Sequence, residues 1–351
     1  MIYHGDAMSY IKETPIILSE IIKNSDEIVN TPALSELDNA GDIIITGTGS
    51  SYNAGIMVRE AMQTILNRRV TVVYPSELDS ELKISSKDAL VVGISQQGTS
   101  VSVIEALDKA NKLNRRTIAM TGETDTEITR HGDQVIMIEC GEEDAGATTK
   151  GFSITGFTLL LFAVALIGKD KDRVAEWKNK MEEIPIAVSK ALDLDKLGQI
   201  VEKLEGFKHL MIISSDCFKN LMPEIVLKFS ETCRKPVVGM AAEMFCHGMY
   251  NAVQQDTTFL FISMDGDKKI QKLNNYYKEY GNQTVLWNIS HEKSELEALF
   301  SATIATQCIW VQTSRKMGVN LNIPKDPDFH KIMGSKIEID TDCKRENIGI
   351  M

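Results

Sequence analysis

Twice near its start the chain runs a short apolar stretch into a turn of glycines and hydroxylated residues, and then into a helical pattern. Asp42-Ile43-Ile44-Ile45 leads into Gly47-Thr48-Gly49-Ser50-Ser51-Tyr52-Asn53. Ala89-Leu90-Val91-Val92-Gly93-Ile94 leads into Ser95-Gln96-Gln97-Gly98-Thr99-Ser100, with Val101, Ile104, Leu107 and Ala110 following at helical spacing. Strand, turn and helix in this order make an anion cradle: small residues let the backbone approach a ligand, the first helical turn points N–H groups outward, and serine hydroxyls add short donors. In an open parallel sheet both turns would sit in the crevice beyond the carboxyl ends of the strands, where they could converge on one anion. Neither turn has the third glycine of a dinucleotide fingerprint or the glycine-lysine-Ser/Thr ending of a nucleoside triphosphate loop.

The same grammar continues along the chain. A leading helix is expected from about Met8 to Lys23, with Pro15 near its start or at a kink. Strands are expected at Asp42–Thr46, Val70–Tyr74, Ala89–Ile94, Arg116–Thr121 and Gln134–Ile138, with helices from about Tyr52 to Leu66 and from Ser100 to Leu113. Thr149 to Ile167 should form a long apolar helix and Lys169–Lys180 a solvated stretch. After Pro185 the alternation restarts, with a helix to about Leu204, strands at Leu210–Ser214, Thr258–Ser263 and Thr284–Ile289, and helices from Phe218 to Cys233 and through Tyr277. The expected fold class is therefore α/β, two doubly wound parallel sheets in three-layer units. The expected division is a helical segment over 1–30, a first unit over 31–185 and a second over 186–351. In the second unit the turn Ser214-Ser215-Asp216-Cys217 has lost the glycines and gained a carboxylate that repels anions, so one phosphate site is expected, in the first half.

Composition narrows the function classes. A net charge of −11 and a pI near 5.2 argue against a nucleic-acid surface, but helix N-termini bind a single phosphate without net positive charge. Cys140, Cys217, Cys233, Cys246, Cys308 and Cys343 are scattered with no C-x-x-C pair, so buried free thiols in a reducing cytoplasm are expected. Met1–Tyr10 lacks a secretory pattern, and the apolar run Leu159–Ile167 is too short for a bilayer, so no membrane partner is expected.

The loops Gly49-Ser50-Ser51-Tyr52-Asn53-Ala54-Gly55 and Ser95–Ser100, with the stretch Glu143-Asp144-Ala145-Gly146-Ala147-Thr148-Thr149-Lys150-Gly151-Phe152, resemble the sugar isomerase (SIS) domain in the tandem arrangement of the isomerase half of the glucosamine-fructose-6-phosphate synthases. The resemblance implies that the phosphate of a ketose or aldose 6-phosphate is held by Ser51, Ser95, Gln96 and Ser100, with Gly49 and Ser50 alongside and Thr148 near the sugar. Gln97 stands where the family usually has serine, and can still donate from its amide. The null alternative is that these hydroxyls only cap helices.

Farther on, Leu227-Lys228-Phe229-Ser230-Glu231-Thr232-Cys233 resembles the family's catalytic helix, and Ala241-Ala242-Glu243-Met244-Phe245-Cys246-His247-Gly248 its histidine segment. By resemblance Glu231 is the base that moves a proton between C1 and C2, and His247 assists ring opening or protonates an oxygen, in relatives from a neighbouring subunit. Residue type alone leaves Glu231 readable as a solvated helix carboxylate and His247 as a core histidine. Lys228, one helical turn before Glu231, could orient it. Glu243 could cap or pair. His4, His131, His209 and His291 show no partner pattern and read as surface or loop residues, whereas His330 could lie nearer the site. In the resembled synthases a lysine near the chain end forms an imine with the sugar; here Ser335 takes that place, with Lys336 one residue off and Lys331 several. An offset of one residue turns a side chain to the opposite face of an extended strand.

A glutaminase segment is not expected, so the resemblance points to the deglycases that cleave 6-phosphorylated Amadori compounds such as fructoselysine 6-phosphate or glucoselysine 6-phosphate. The alternatives are an aminosugar-phosphate isomerase or deaminase and a non-catalytic sugar-phosphate sensor. Neither a metal nor an organic cofactor is expected, because the substrate's own nitrogen would stabilise the intermediate. The expected partners are a small-molecule sugar phosphate and further copies of the chain in a homodimer or larger homo-oligomer.

Overall fold

The computed structural model describes residues 3–26, 34, 37–289 and 294–337. They fall into two compact units. One comprises Ala40–Tyr52, Arg69–Ile138 and the segment from Lys325; the other comprises the residues before Ala40, Asn53–Arg68 and Glu139–Pro324. Helix α1 (Ala7–Lys23) opens the chain, started by Asp6, whose carboxylate accepts from Met8 N at 3.2 Å.

Next come β1 (Ile43–Gly47), α2 (Ser50–Leu66), β2 (Val70–Val73), α3 (Leu78–Ile84), β3 (Leu90–Ile94), α4 (Val101–Lys112), β4 (Arg116–Thr121) and β5 (Gln134–Met137). The strands form a five-stranded parallel sheet in the order β2-β1-β3-β4-β5. β1 and β3 are buried along their whole length, as short runs of Ile, Val and Leu allow only where both faces are covered. On one face Ile44, Val91, Val103, Leu107 and Ile128 pack into a core with Leu78 and Leu82 of α3. Since β2 lies on one side of β1 and β3 on the other, the order reverses between β1 and β3. Gly47 pairs with Ile94, so the loops that follow leave the sheet side by side.

The second sheet is built from β6 (His209–Ser214), β7 (Val237–Ala241), β8 (Thr257–Met264) and β9 (Gln283–Ile289), in the order β7-β6-β8-β9 and parallel throughout. Its unit also holds α5 (Lys150–Leu166), α6 (Lys171–Ala191), α7 (Leu194–Leu204), α8 (Met222–Cys233), the single turn α9 (Ala242–Phe245), α10 (Lys268–Glu279) and α11 (Glu295–Lys316). Phe245, Phe259, Phe261 and Tyr277 stack or meet edge to face in its core. A last short helix, α12 (Phe329–Met333), lies in the unit of the first sheet. Among the described residues no helix is long and apolar enough to cross a membrane.

Elements outside the expected pattern include the short helices α3 and α12, the strand β7 and the long helices α6 and α11. β7 and α11 carry no simple signature: β7 is an edge strand containing Gly239, and α11 is buried on nearly every side, so neither alternation nor an apolar stripe marks it. α6 continues through Pro185 instead of stopping there. Pro185 lies on the buried face of the helix with Met181, Ile184 and Val188, and cannot donate the backbone bond of its position.

Candidate functional site

The first cluster lies where β1 and β3 end. Gly49 takes φ +54°, a left-handed turn that glycine enters without strain, and α2 begins at once, with Ser51 N donating to Thr48 O at 3.2 Å. In the second loop Gly98 has φ +67°, and a Cβ there would lie 2.0 Å from Thr126 Oγ1, so no other residue fits. Ser95 is buried and its Oγ accepts from Ser100 N at 3.3 Å, while Ser100 Oγ lies 3.5 Å from Thr48 Oγ1. The two loops therefore meet through hydroxyls. Ser50, Ser51, Gln96 and Ser100 are half-buried and Gln97 is exposed, with Ser51 on the first turn of α2, whose N–H groups have no helical acceptor. Of the C-terminal residues, Lys336 bonds to Gln97, and Ser335 Oγ lies 2.8 Å from Nδ1 of His330.

At the corresponding place in the second sheet, between β6 and β8, the crevice is closed. Ser215 Oγ donates to Asp267 at 2.5 Å and accepts from Met264 N at 2.9 Å, and Asp267 also caps α10. With Asp216 beside it, this turn is filled by carboxylates that repel an anion.

The second cluster is on α8. Glu224, Lys228 and Glu231 recur at helical spacing: Lys228 Nζ lies 2.9 Å from Glu231 Oε2 and 4.0 Å from Glu224 Oε1, and Asn53 Nδ2 donates to Glu224 Oε2 at 2.8 Å. Lys228 is only 4% exposed. Burial alone would lower its pKa, but the charges of Glu231 and Glu224 and the bond to Glu231 outweigh that and raise it. Thr303, Thr306 and Gln307 of α11 line with it a cavity of about 10 Å³, which is no larger than a water. Of this cluster Glu231 is the member open to solvent, its side chain 41% exposed. Burial and the charges of Glu231 and Asp144 push the phenol of Tyr3 up.

Glu143 supplies α5 with a carboxylate cap, accepting from Thr149 N at 2.7 Å, Lys150 N at 3.0 Å and Gly151 N at 2.8 Å. Thr148, just before the helix, is half-buried.

His247 stands apart from Glu231. Its side chain is 72% exposed, its Nδ1 lies 2.8 Å from Glu243 O, and no hydrogen bond or ion pair among the described residues joins it to Glu231. Glu243 is paired with Lys269. Sequence reasoning missed Glu224, although its place seven residues before Glu231 completes a visible helical stripe. His131 is also better partnered than expected, with Nδ1 2.6 Å from Asp108 and Nε2 3.2 Å from Glu127, because α4 and the turn at Glu127 converge on it. His291 and Cys343 lie outside the described residues.

The thiols differ in burial from the uniform expectation: Cys246, at the end of α9, is exposed and Cys217, in the turn after β6, is half-buried, whereas Cys140, Cys233 and Cys308 are buried. Burial pushes Cys217 and Cys233 to about 11 and Cys308 to about 12, so these three remain thiols at neutral pH. Among the described residues no group of three or more His, Cys, Asp or Glu is arranged to hold a metal ion.

Residues 36–165 match the SIS domain. The chain is 26% identical over 227 residues to a glutamine–fructose-6-phosphate aminotransferase [isomerizing] of Halobacterium salinarum, a match that takes in 63% of this chain and 38% of that protein. The chain thus spans well under half of that relative's length. Among solved structures, a candidate phosphosugar isomerase from Clostridium difficile 630 is 28% identical, with a TM-score of 0.84 over 95% of this chain and 99% of that one. The C-terminal domain of glucosamine-fructose-6-phosphate aminotransferase from Francisella tularensis shares the fold, with a TM-score of 0.78 at 20% identity over 91% of this chain and 98% of that one. The similarity therefore lies with the SIS domain over residues 36–165 and with the glutamine–fructose-6-phosphate aminotransferases over part of their length.

Proposed function

We propose that this protein is a phosphosugar enzyme, and specifically a deglycase that cleaves a 6-phosphorylated Amadori compound to a hexose 6-phosphate and a free amine. The observation that carries the reading is the Lys228–Glu231 pair, a buried ammonium fixing a part-exposed carboxylate at 2.9 Å. Abstracting a proton beside a carbonyl needs such a positioned base. Ser51, Ser95, Gln96, Gln97 and Ser100 hold the phosphate, with Gly49 and Ser50 shaping the turn, and Thr148 contacts the sugar.

Glu231 takes a proton from C1 of the open-chain ketosamine, giving an enaminol, and the proton returns at C2. The resulting aldimine adds water at C1, the C1–N bond breaks, and the hexose 6-phosphate and the amine leave. His247 moves protons at the oxygen and the leaving nitrogen. Its exposure in a single chain supports a homodimer or larger homo-oligomer in which it serves a neighbouring copy. Tandem SIS units over 31–185 and 186–351, after a helical segment at 1–30, and a cytoplasmic location belong to the same proposal. That β1 to β5 all precede Ile138 and β6 to β9 all follow Lys208 supports the two units.

The similarity to aminotransferases favours a second reading, an isomerase or deaminase acting on an aminosugar phosphate by the same proton transfer. Incubation with fructoselysine 6-phosphate, glucoselysine 6-phosphate and glucosamine 6-phosphate, followed by assay of amine and hexose phosphate, separates the two. Release from the first or second compound is the expected result. Binding of all three without turnover overturns the enzyme reading in favour of a sensor.

A further inference from the structure

A sugar phosphate is close to a dianion at neutral pH, yet every side chain in Gly47–Asn53 and Ser95–Ser100 is uncharged. Hydroxyls and amides orient such a group without neutralising it. The C-terminal segment brings a charge to the loop. α12 ends at Gly334, whose φ of +58° turns the chain back along the second loop. There Ser335 O accepts from Val101 N at 3.4 Å, Ile337 N donates to Thr99 O at 2.9 Å, and Lys336 faces Ser100 in an antiparallel bridge. In this register Lys336 Nζ donates to Gln97 Oε1 at 3.1 Å.

Gln97 makes that contact possible, because its side chain is longer than the serine of the resembled family and ends in an acceptor. With Oε1 turned to Lys336, its Nε2 protons remain to meet an anion. Lysine in its usual ammonium form donates this bond with one of its three protons, and an ammonium does not add to a carbonyl.

On the phosphate reading of the two loops, on which this rests, we infer that Lys336 is an ionic ligand of the phosphate, held in place by Gln97, rather than an amine that condenses with the sugar. Charge-assisted bonds to phosphate are roughly twice as strong as neutral ones and weaken with salt.

The test measures binding of inorganic phosphate and fructose 6-phosphate by calorimetry at low and high ionic strength, for the wild-type chain, Lys336→Ala and Lys336→Arg. Lys336→Ala should weaken both ligands about tenfold and lose most of the salt dependence, while Lys336→Arg keeps most of the affinity. With a turned-over substrate, Lys336→Ala should raise KM and leave kcat within about twofold. If the wild-type chain binds neither ligand, the phosphate reading of the loops falls. If it binds both and Lys336→Ala binds them equally well, the loops stand and the inference about Lys336 falls. Borohydride trapping of fructose 6-phosphate on Lys336 also overturns it, since that result makes the lysine an imine former.

Discussion

On α8 the two carboxylates beside Lys228 differ: Glu224 is buried and hydrogen-bonded to Asn53, whereas Glu231 opens to solvent. Removing the ammonium takes a charged neighbour from the enclosed Glu224, to which Asn53 still donates. Lys228→Met should therefore lower stability by about 3 kcal/mol, the low end for breaking a buried pair, because Asn53 still donates to Glu224. The double variant Lys228→Met, Glu224→Gln should recover at least half of that loss in urea unfolding. A loss no larger in the single than in the double variant would show that the pair is not coupled. At this scale the sequence was legible where chemistry is local. Ser51, Ser95 and Ser100 stand out because small hydroxylated residues crowd the turns after apolar runs, and Lys228 because it lies one helical turn from Glu231. Lys336 was found, but not its partner: Gln97 lies 239 residues away, and nothing local announces a contact at that separation.

Among the elements, the turn at Glu127–Arg130 buttresses the second loop, since Ile128 N donates to Gly98 O at 3.1 Å and Thr126 packs on Gly98. His131 clamps that turn to α4 through Asp108 and Glu127. Burial lowers its pKa, but the hydrogen bonds and charges of the two carboxylates outweigh burial and raise it above 6.5. The folded state thus holds the proton more tightly than the unfolded chain. The stabilisation is complete below the unfolded pKa and is lost as pH rises through the folded one. His131→Gln should accordingly lower the urea midpoint more at about pH 5.5 than at about pH 8.5. An equal shift at both would mean that the imidazole acts only by packing. Sequence alone marked His131 as unpartnered, because its partners come from a helix and a turn that only the fold brings together. Most strands were legible from their apolar runs. α11 was not, since a helix buried on nearly every side has no polar face to set its period.

Across the whole molecule, two parallel sheets with the same reversal of strand order carry different chemistry at their carboxyl ends. One crevice presents hydroxyls, the other is closed by the Ser215–Asp267 bond. The alternation of strands and helices made both sheets legible, whereas the closure of the second crevice was not, because Asp267 lies 52 residues from Ser215. The return of the chain from Lys325 to the unit of the first sheet was not legible, because its antiparallel pairing with the second loop is a single bridge without a strand pattern. The central claim is that Glu231 transfers a proton between C1 and C2 of a phosphorylated sugar. It is tested most directly by turnover of a ketosamine 6-phosphate in D₂O, with NMR detection of deuterium at C2 of the released hexose phosphate, for the wild-type chain and Glu231→Gln. The wild-type chain should incorporate deuterium at C2, and Glu231→Gln should lose 10²–10⁴-fold in rate while binding the substrate nearly as before. Turnover by Glu231→Gln at the wild-type rate would contradict the claim.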